Sequence, residues 1–176
     1  MAIKTSANLV VSRINSSGKG GRILVLGLGN ILLKDEGVGV HVAKHLQKLD
    51  LPGDVEVIDG GTAGLDILLS QEGLGKLVVI DATRAGSKPG TIYKARIKAG
   101  EIDKLTRIFG QNKDSKISLH QVGLIDALAA AEKMDCAPRE IVIIGVEPKE
   151  INYGLELTEQ VSRRIPEVVN MVLEEF

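Results

Sequence analysis

Glu36, Asp81 and His120 are candidates, among the 23 acids and three histidines of this 176-residue chain, of types that could together hold and use a divalent transition ion. Two carboxylates and an imidazole with positions left open suit nickel, zinc or manganese. They suit calcium, which takes more oxygen ligands, or a closed structural zinc less well. An ion held this way polarises a carbonyl group or activates water. Each residue also has an ordinary structural reading. Glu36 can be a first-turn acid favouring the helix dipole with Asp35 as N-cap, Asp81 can cap a turn, and His120 can be a surface residue of a first helical turn.

These side chains need elements to bring them together. Ile23-Leu24-Val25-Leu26-Gly27 reads as a strand buried on both faces, because four apolar residues run on without alternation. Gly27 and Gly29 permit a tight exit, and Gly37 and Gly39 imply close approach by a ligand or backbone at the next helix start. The pattern predicts strands near 22–27, 54–58, 76–81, 90–97 and 140–146, with helices near 36–49, 64–72, 119–134 and 158–175. This alternation implies an α/β sheet covered on both faces. Val38, Val42, His45, Leu46 and Leu49 are expected on the core face of the first helix. The strand near 90–97 alternates as an edge strand does, and too few residues precede it for a helical crossover, so it is expected to be antiparallel. The polar, glycine-punctuated loop at 109–117 is expected to be mobile.

In an open α/β sheet, ligands bind beyond the strands' carboxyl ends where strand order reverses. If the second strand lies on one side of the first and the third on the other, Glu36 and Asp81 face one crevice. Ser118-Leu119-His120-Gln121 fits a capping box, which puts His120 in the first turn of its helix. The positive helix end disfavours imidazolium there, and neutral imidazole is the metal-binding form.

With 22 basic and 23 acidic residues the net charge is −1, so no broad electrostatic case exists for nucleic acid or an anionic membrane as partner. Residues 1–21 read as a flexible N-terminal extension without a signal-peptide core, and 22–176 as one domain. No stretch approaches the roughly 20 apolar residues of a membrane span. A single cysteine, Cys136, forms no intrachain disulfide and fits a reducing compartment, so a cytoplasmic location is expected.

Gly27-Leu28-Gly29-Asn30 followed by Asp35-Glu36-Gly37-Val38-Gly39 resembles the opening of the hydrogenase maturation endopeptidases. Asp59-Gly60-Gly61-Thr62-Ala63-Gly64, Val79-Ile80-Asp81-Ala82, Ser118 to Leu124, Ile144 to Pro148 and Gly154 to Thr158 resemble later family segments in the same order. The resemblance covers about residues 22–175. It implies a three-layer α/β/α sandwich with a five-stranded mixed, mostly parallel twisted sheet and one antiparallel edge strand. It also implies a nickel-dependent endopeptidase that removes the C-terminal extension of the nickel-iron hydrogenase large-subunit precursor. The family's nickel-recognising positions fall on Glu36, Asp81 and His120, and the substrate supplies the nickel; zinc or manganese could occupy the same place. Gly29, Asn30, Asp59, Gly60 and Gly61 are expected to shape the substrate cleft.

Other chemistries fit less well. A dinucleotide-dependent oxidoreductase would need a third glycine where Leu32 stands, and Asp35-Glu36 would oppose a pyrophosphate. A phosphate-binding loop lacks its Gly-Lys-Ser/Thr. An aspartic dyad of Asp59 and Asp81 is conceivable, though neither sits in that family's signature. His41 and His45 stand four apart without the glutamate of a zinc-peptidase motif, and His45 reads as a hydrogen-bonded core residue. Cys136 lies in no nucleophile motif. A nickel-sensing partner or chaperone that binds the precursor without cutting it shares every feature above.

Overall fold

The computed structural model describes residues 21–63, 68, 71, 73–104 and 119–176, with the side chains of 119–122 outside the description. The loop expected at 109–117 lies outside the described residues, as does the helix expected at 64–72 apart from Leu68, which is helical and buried.

Five strands form one sheet: β1 (Arg22–Leu28), β2 (Val55–Gly61), β3 (Leu74–Ala82), β4 (Ile92–Lys98) and β5 (Glu140–Val146), in the order β2-β1-β3-β5-β4. The pairs β1–β2, β1–β3 and β3–β5 are parallel. β4 is antiparallel to β5, its neighbour at the edge. Central strands read as apolar runs because both faces are covered, and Leu24, Val25, Leu26, Val78, Val79 and Ile80 are fully buried. In β4 only Ile97 is buried, as the alternating edge pattern requires.

The described residues include the helices α1 (Val38–Leu46), α2 (Leu119–Lys133), α3 (Glu159–Ser162) and α4 (Ile165–Leu173). Val38, Val42 and Leu46 of α1, Val161 of α3 and Ile165, Val168 and Val172 of α4 cover Val25, Val78, Ile80, Val142 and Ile144 on one sheet face. Leu124, Ala127 and Leu128 of α2 cover Leu24, Leu26, Val79, Ile141 and Ile143 on the other. The result is the three-layer sandwich, with each large aliphatic side chain so buried contributing roughly 1.5–3 kcal/mol.

Two expected helices differ in detail. The first opens as a 3-10 turn (Lys34–Gly37) and ends at Leu46, leaving His45 and Leu49 exposed rather than in the core. The cause is close helix–strand approach. A Cβ on Gly39 would collide with the carbonyl oxygens of Ile80 and Leu28, and one on Gly27 with the Gly39 carbonyl and Ala43. α1 is thus turned so that its Gly39–Ala43 side meets the sheet, which carries His45 outward. The close approach read from Gly39 is made by backbone, not by a ligand. The expected helix at 158–175 breaks into α3 and α4, because Pro166 enters the new first turn without the N–H that a continuous helix would bond to Ser162.

Candidate functional site

β1 lies between β2 and β3, so strand order reverses at β1 and the crevice opens between the carboxyl ends of β1 and β3. The chain leaves β1 through Gly29, whose φ of +127° disfavours other residues. A Cβ there would collide with the Glu36 carbonyl oxygen, and one on Gly37 would press on Ile31. The segment from 29 to 37 therefore folds back tightly on itself. Asn30 braces it by accepting the Leu32 N–H through Oδ1 at 3.0 Å and the Leu33 N–H through its carbonyl at 3.0 Å.

Glu36 sits half-buried in the 3-10 turn, and this turn packs against β3. Asp81, 1% exposed, is the penultimate residue of β3, with Oδ1 accepting the Ala82 N–H at 2.8 Å. Side chains alternate along a strand, so Asp81 shares the face of Val79, the face covered by α2. The third element arrives from that layer. α2 is followed by the short link 134–139 into the start of β5, and Glu132 near its end accepts the Gly100 N–H beside the end of β4. The helix therefore starts at the sheet's carboxyl edge, and His120 is its second residue. Its side chain, and Ser118 of the expected capping box, lie outside the described residues. Among the described residues no three His, Cys, Asp or Glu side chains form a metal cluster. Glu36 and Asp81 both lie at this carboxyl edge, and carboxylates are a donor type that suits a hard or borderline divalent ion.

The other cleft candidates divide. Gly29 donates its N–H to the Gly61 carbonyl at 3.0 Å, which joins the exits of β1 and β2. Gly61 takes φ +48°. Gly60 is buried, and its carbonyl accepts the Ala63 N–H at 3.0 Å. Asp59 lies within β2, is exposed, accepts the Gly61 N–H at 3.1 Å and stands 3.6 Å from Lys44. The intervening β1 keeps its strand two spacings from that of Asp81, about 10 Å, which rules out a shared-proton dyad.

His45 is exposed, with Nδ1 2.8 Å from the His41 carbonyl oxygen. Burial holds the His41 pKa below the ordinary histidine value, helped by Lys44 and His45. Cys136, half-buried, points its Sγ at the Ala131 carbonyl, 3.5 Å away.

Two acids have roles the sequence does not show: Asp35, expected as an N-cap, and Glu147. Asp35 is 0% exposed and is not an N-cap. Its carboxylate accepts the N–H groups of Lys149 at 2.9 Å, Glu150 at 3.0 Å and Thr158 at 2.7 Å, and the Thr158 hydroxyl at 2.8 Å. It ties the Glu36 turn to the segment after β5. A parallel bridge from Leu33 to Gly154 and the Lys34–Glu150 ion pair at 2.6 Å reinforce this tie. Glu147, also buried, accepts the N–H groups of Ala85 at 2.9 Å and of Gly86 and Ser87 at 3.3 Å, and the Tyr93 hydroxyl at 2.6 Å. It fixes the loop that follows Asp81. The available signals were an acid beside the candidate ligand and an acid closing a buried apolar strand before proline.

The model of a family described as hydrogenase maturation protease matches residues 40–175. The hydrogenase expression/formation protein HupD of Thiocapsa roseopersicina is 38% identical over 154 residues, 86% of this chain and 66% of that protein. The hydrogenase 2 maturation protease of Escherichia coli is 36% identical over 154 residues, 86% of this chain and 88% of that protein. Among solved structures, the hydrogenase maturating endopeptidase HybD of Escherichia coli superposes with a TM-score of 0.76 at 35% identity, covering 88% of this chain and 91% of that one.

Proposed function

This chain belongs to the hydrogenase maturation protease family and is a peptidase, and from that premise we propose that it removes the C-terminal extension of a nickel-iron hydrogenase large-subunit precursor. In this reading the nickel arrives as part of the substrate. Glu36, Asp81 and His120 complete its coordination and so position the neighbouring peptide bond and check that the ion has been installed. The observation that carries the reading is the Glu36 turn packed against the strand whose penultimate residue is buried Asp81, at the reversal of strand order.

Nickel bound there supplies Lewis-acid polarisation of the scissile carbonyl or of a water molecule. Carboxylate and neutral imidazole are the donor types such an ion accepts, and zinc or manganese can take the same place. In the same reading Gly29, Asn30, Asp59, Gly60 and Gly61 shape the cleft that takes the peptide. None of the described helices is long and apolar enough to cross a membrane.

Mass spectrometry of the precursor's C-terminus tests this. Wild type should release the extension from nickel-loaded precursor and leave nickel-free precursor intact, and Glu36→Ala, Asp81→Ala and His120→Ala should each lower the rate by at least about 100-fold. Tight precursor binding with no peptide released by wild type would replace the protease with a nickel-sensing partner.

A further inference from the structure

We infer that Ile31, Leu32, Tyr153 and Leu155 form a docking ridge for the folded body of the protein substrate, separate from the crevice that takes its scissile segment. The inference rests on the proposed function for the identity of that substrate.

Among the described residues the exposed large apolar side chains are Ile31, Leu32, Leu49, Met134, Tyr153 and Leu155. Four of these six belong to two neighbouring segments. Leu33 forms a parallel bridge with Gly154, and the Gly154 N–H donates to the Leu32 carbonyl at 3.0 Å, so Tyr153 and Leu155 flank the residue bonded to Leu32. Exposure is 89% for Tyr153, 65% for Leu155, 55% for Leu32 and 36% for Ile31. In a chain with only two tyrosines, two phenylalanines and no tryptophan, one aromatic ring is thus presented almost wholly to solvent.

This ridge is rigid. The Asp35 carboxylate binds the 149–158 segment at three residues, and the Lys34–Glu150 pair closes the other side. A pre-ordered aromatic and aliphatic surface loses little entropy on association, which is how interface anchors work. It is also close to the crevice, since the Ile31 backbone runs near enough to Gly37, next to Glu36, that a Cβ on Gly37 would meet the Ile31 Cα at 2.9 Å.

Size and shape select the occupant. The four side chains expose on the order of 400 Å² together, within the range of functional patches and below the roughly 800 Å² per partner of a stable dimer. That favours an enzyme–substrate encounter over a second copy of the chain. An extended peptide is held in a concave groove or on a strand edge, whereas projecting side chains enter a concavity of a folded partner. The ridge therefore recognises an apolar hollow beside the scissile segment and adds affinity without touching the reacting bond.

Tyr153→Ser, Leu155→Ser and Leu32→Ser, singly and as the triple variant, test this with full-length nickel-loaded precursor. The triple variant should raise KM at least about tenfold with kcat changed less than about twofold, and keep the wild-type melting temperature within about 2 °C. Affinity should fall by the same factor in a Glu36→Ala background, where cleavage is slow enough for binding to be measured before it. That arm separates the two claims: lost binding on ridge substitution upholds the ridge even if no peptide is ever released. Unchanged binding by the triple variant overturns it even if wild type cleaves normally. Wild-type failure to bind the precursor, or a monomer–dimer equilibrium abolished by the triple variant, also overturns it.

Discussion

Replacing Asp35 with alanine is expected to cost more stability than replacing either Glu36 or Asn30, although its side chain is not assigned to the chemistry. The carboxylate is fully buried and accepts four hydrogen bonds, three from backbone N–H groups and one from the Thr158 hydroxyl. Hydrogen bonds to a charged group contribute about 1.5–3 kcal/mol each, and a buried donor left unpaired costs about 1–3 kcal/mol. Desolvation of the carboxylate offsets part of the sum, and water entering the vacated space would satisfy some donors. A net loss of about 3–5 kcal/mol results, comparable to breaking a buried ion pair. For a chain of this size that corresponds to a fall in Tm of roughly 6–20 °C. Urea unfolding of Asp35→Ala, Thr158→Ala and the double variant measures it. Thr158→Ala removes only the hydroxyl contact and should lose about 1 kcal/mol, and the double variant should fall short of additivity because both act on one network. A loss below about 1 kcal/mol for Asp35→Ala, or strict additivity, would refute the view that this carboxylate clamps the Glu36 turn to the 149–158 segment.

Gly29→Ala should reduce precursor cleavage sharply while leaving circular dichroism of the sheet intact. A Cβ at φ +127° meets the Glu36 carbonyl, so the turn must move and carry Glu36 with it; wild-type kcat in this variant would contradict the placement. The Glu175 carboxylate, 2% exposed, is pushed upward in pKa by burial, but Lys94, Lys76 and Arg96 outweigh this and hold it below the ordinary glutamate value. Hydrogen bonding from Arg96 holds Glu140 below it too. A depressed folded pKa stabilises above the unfolded value of 4.5, and the contribution disappears as pH falls through the folded value. Melting temperature should therefore drop steeply below about pH 4.5, and Glu175→Gln should be less stable at pH 7 with a shallower acid limb. Parallel Tm–pH curves for the two proteins would count against this cluster.

The strands, the layers and the edge were legible in the order of residues alone. Uninterrupted apolar runs such as Leu24 to Leu26 specify burial on both faces, and the alternation from Ile92 to Lys98 specifies an edge, because those patterns follow from local periodicity. The order of residues also determined the family, through spaced motifs from Gly27 to Thr158. Tertiary structure alone decided which side of α1 meets the sheet, since the Gly39–Ala43 contact with Gly27, Leu28 and Ile80 pairs residues that no helical period relates. It alone gave Asp35 and Glu147 their partners, which lie more than fifty residues away along the chain. It also separated Asp59 from Asp81 by inserting β1 between their strands. An acidic residue reads the same in sequence whether it caps a helix, binds an ion or ties two loops. Only the donors that folding brings within about 3 Å distinguish those roles.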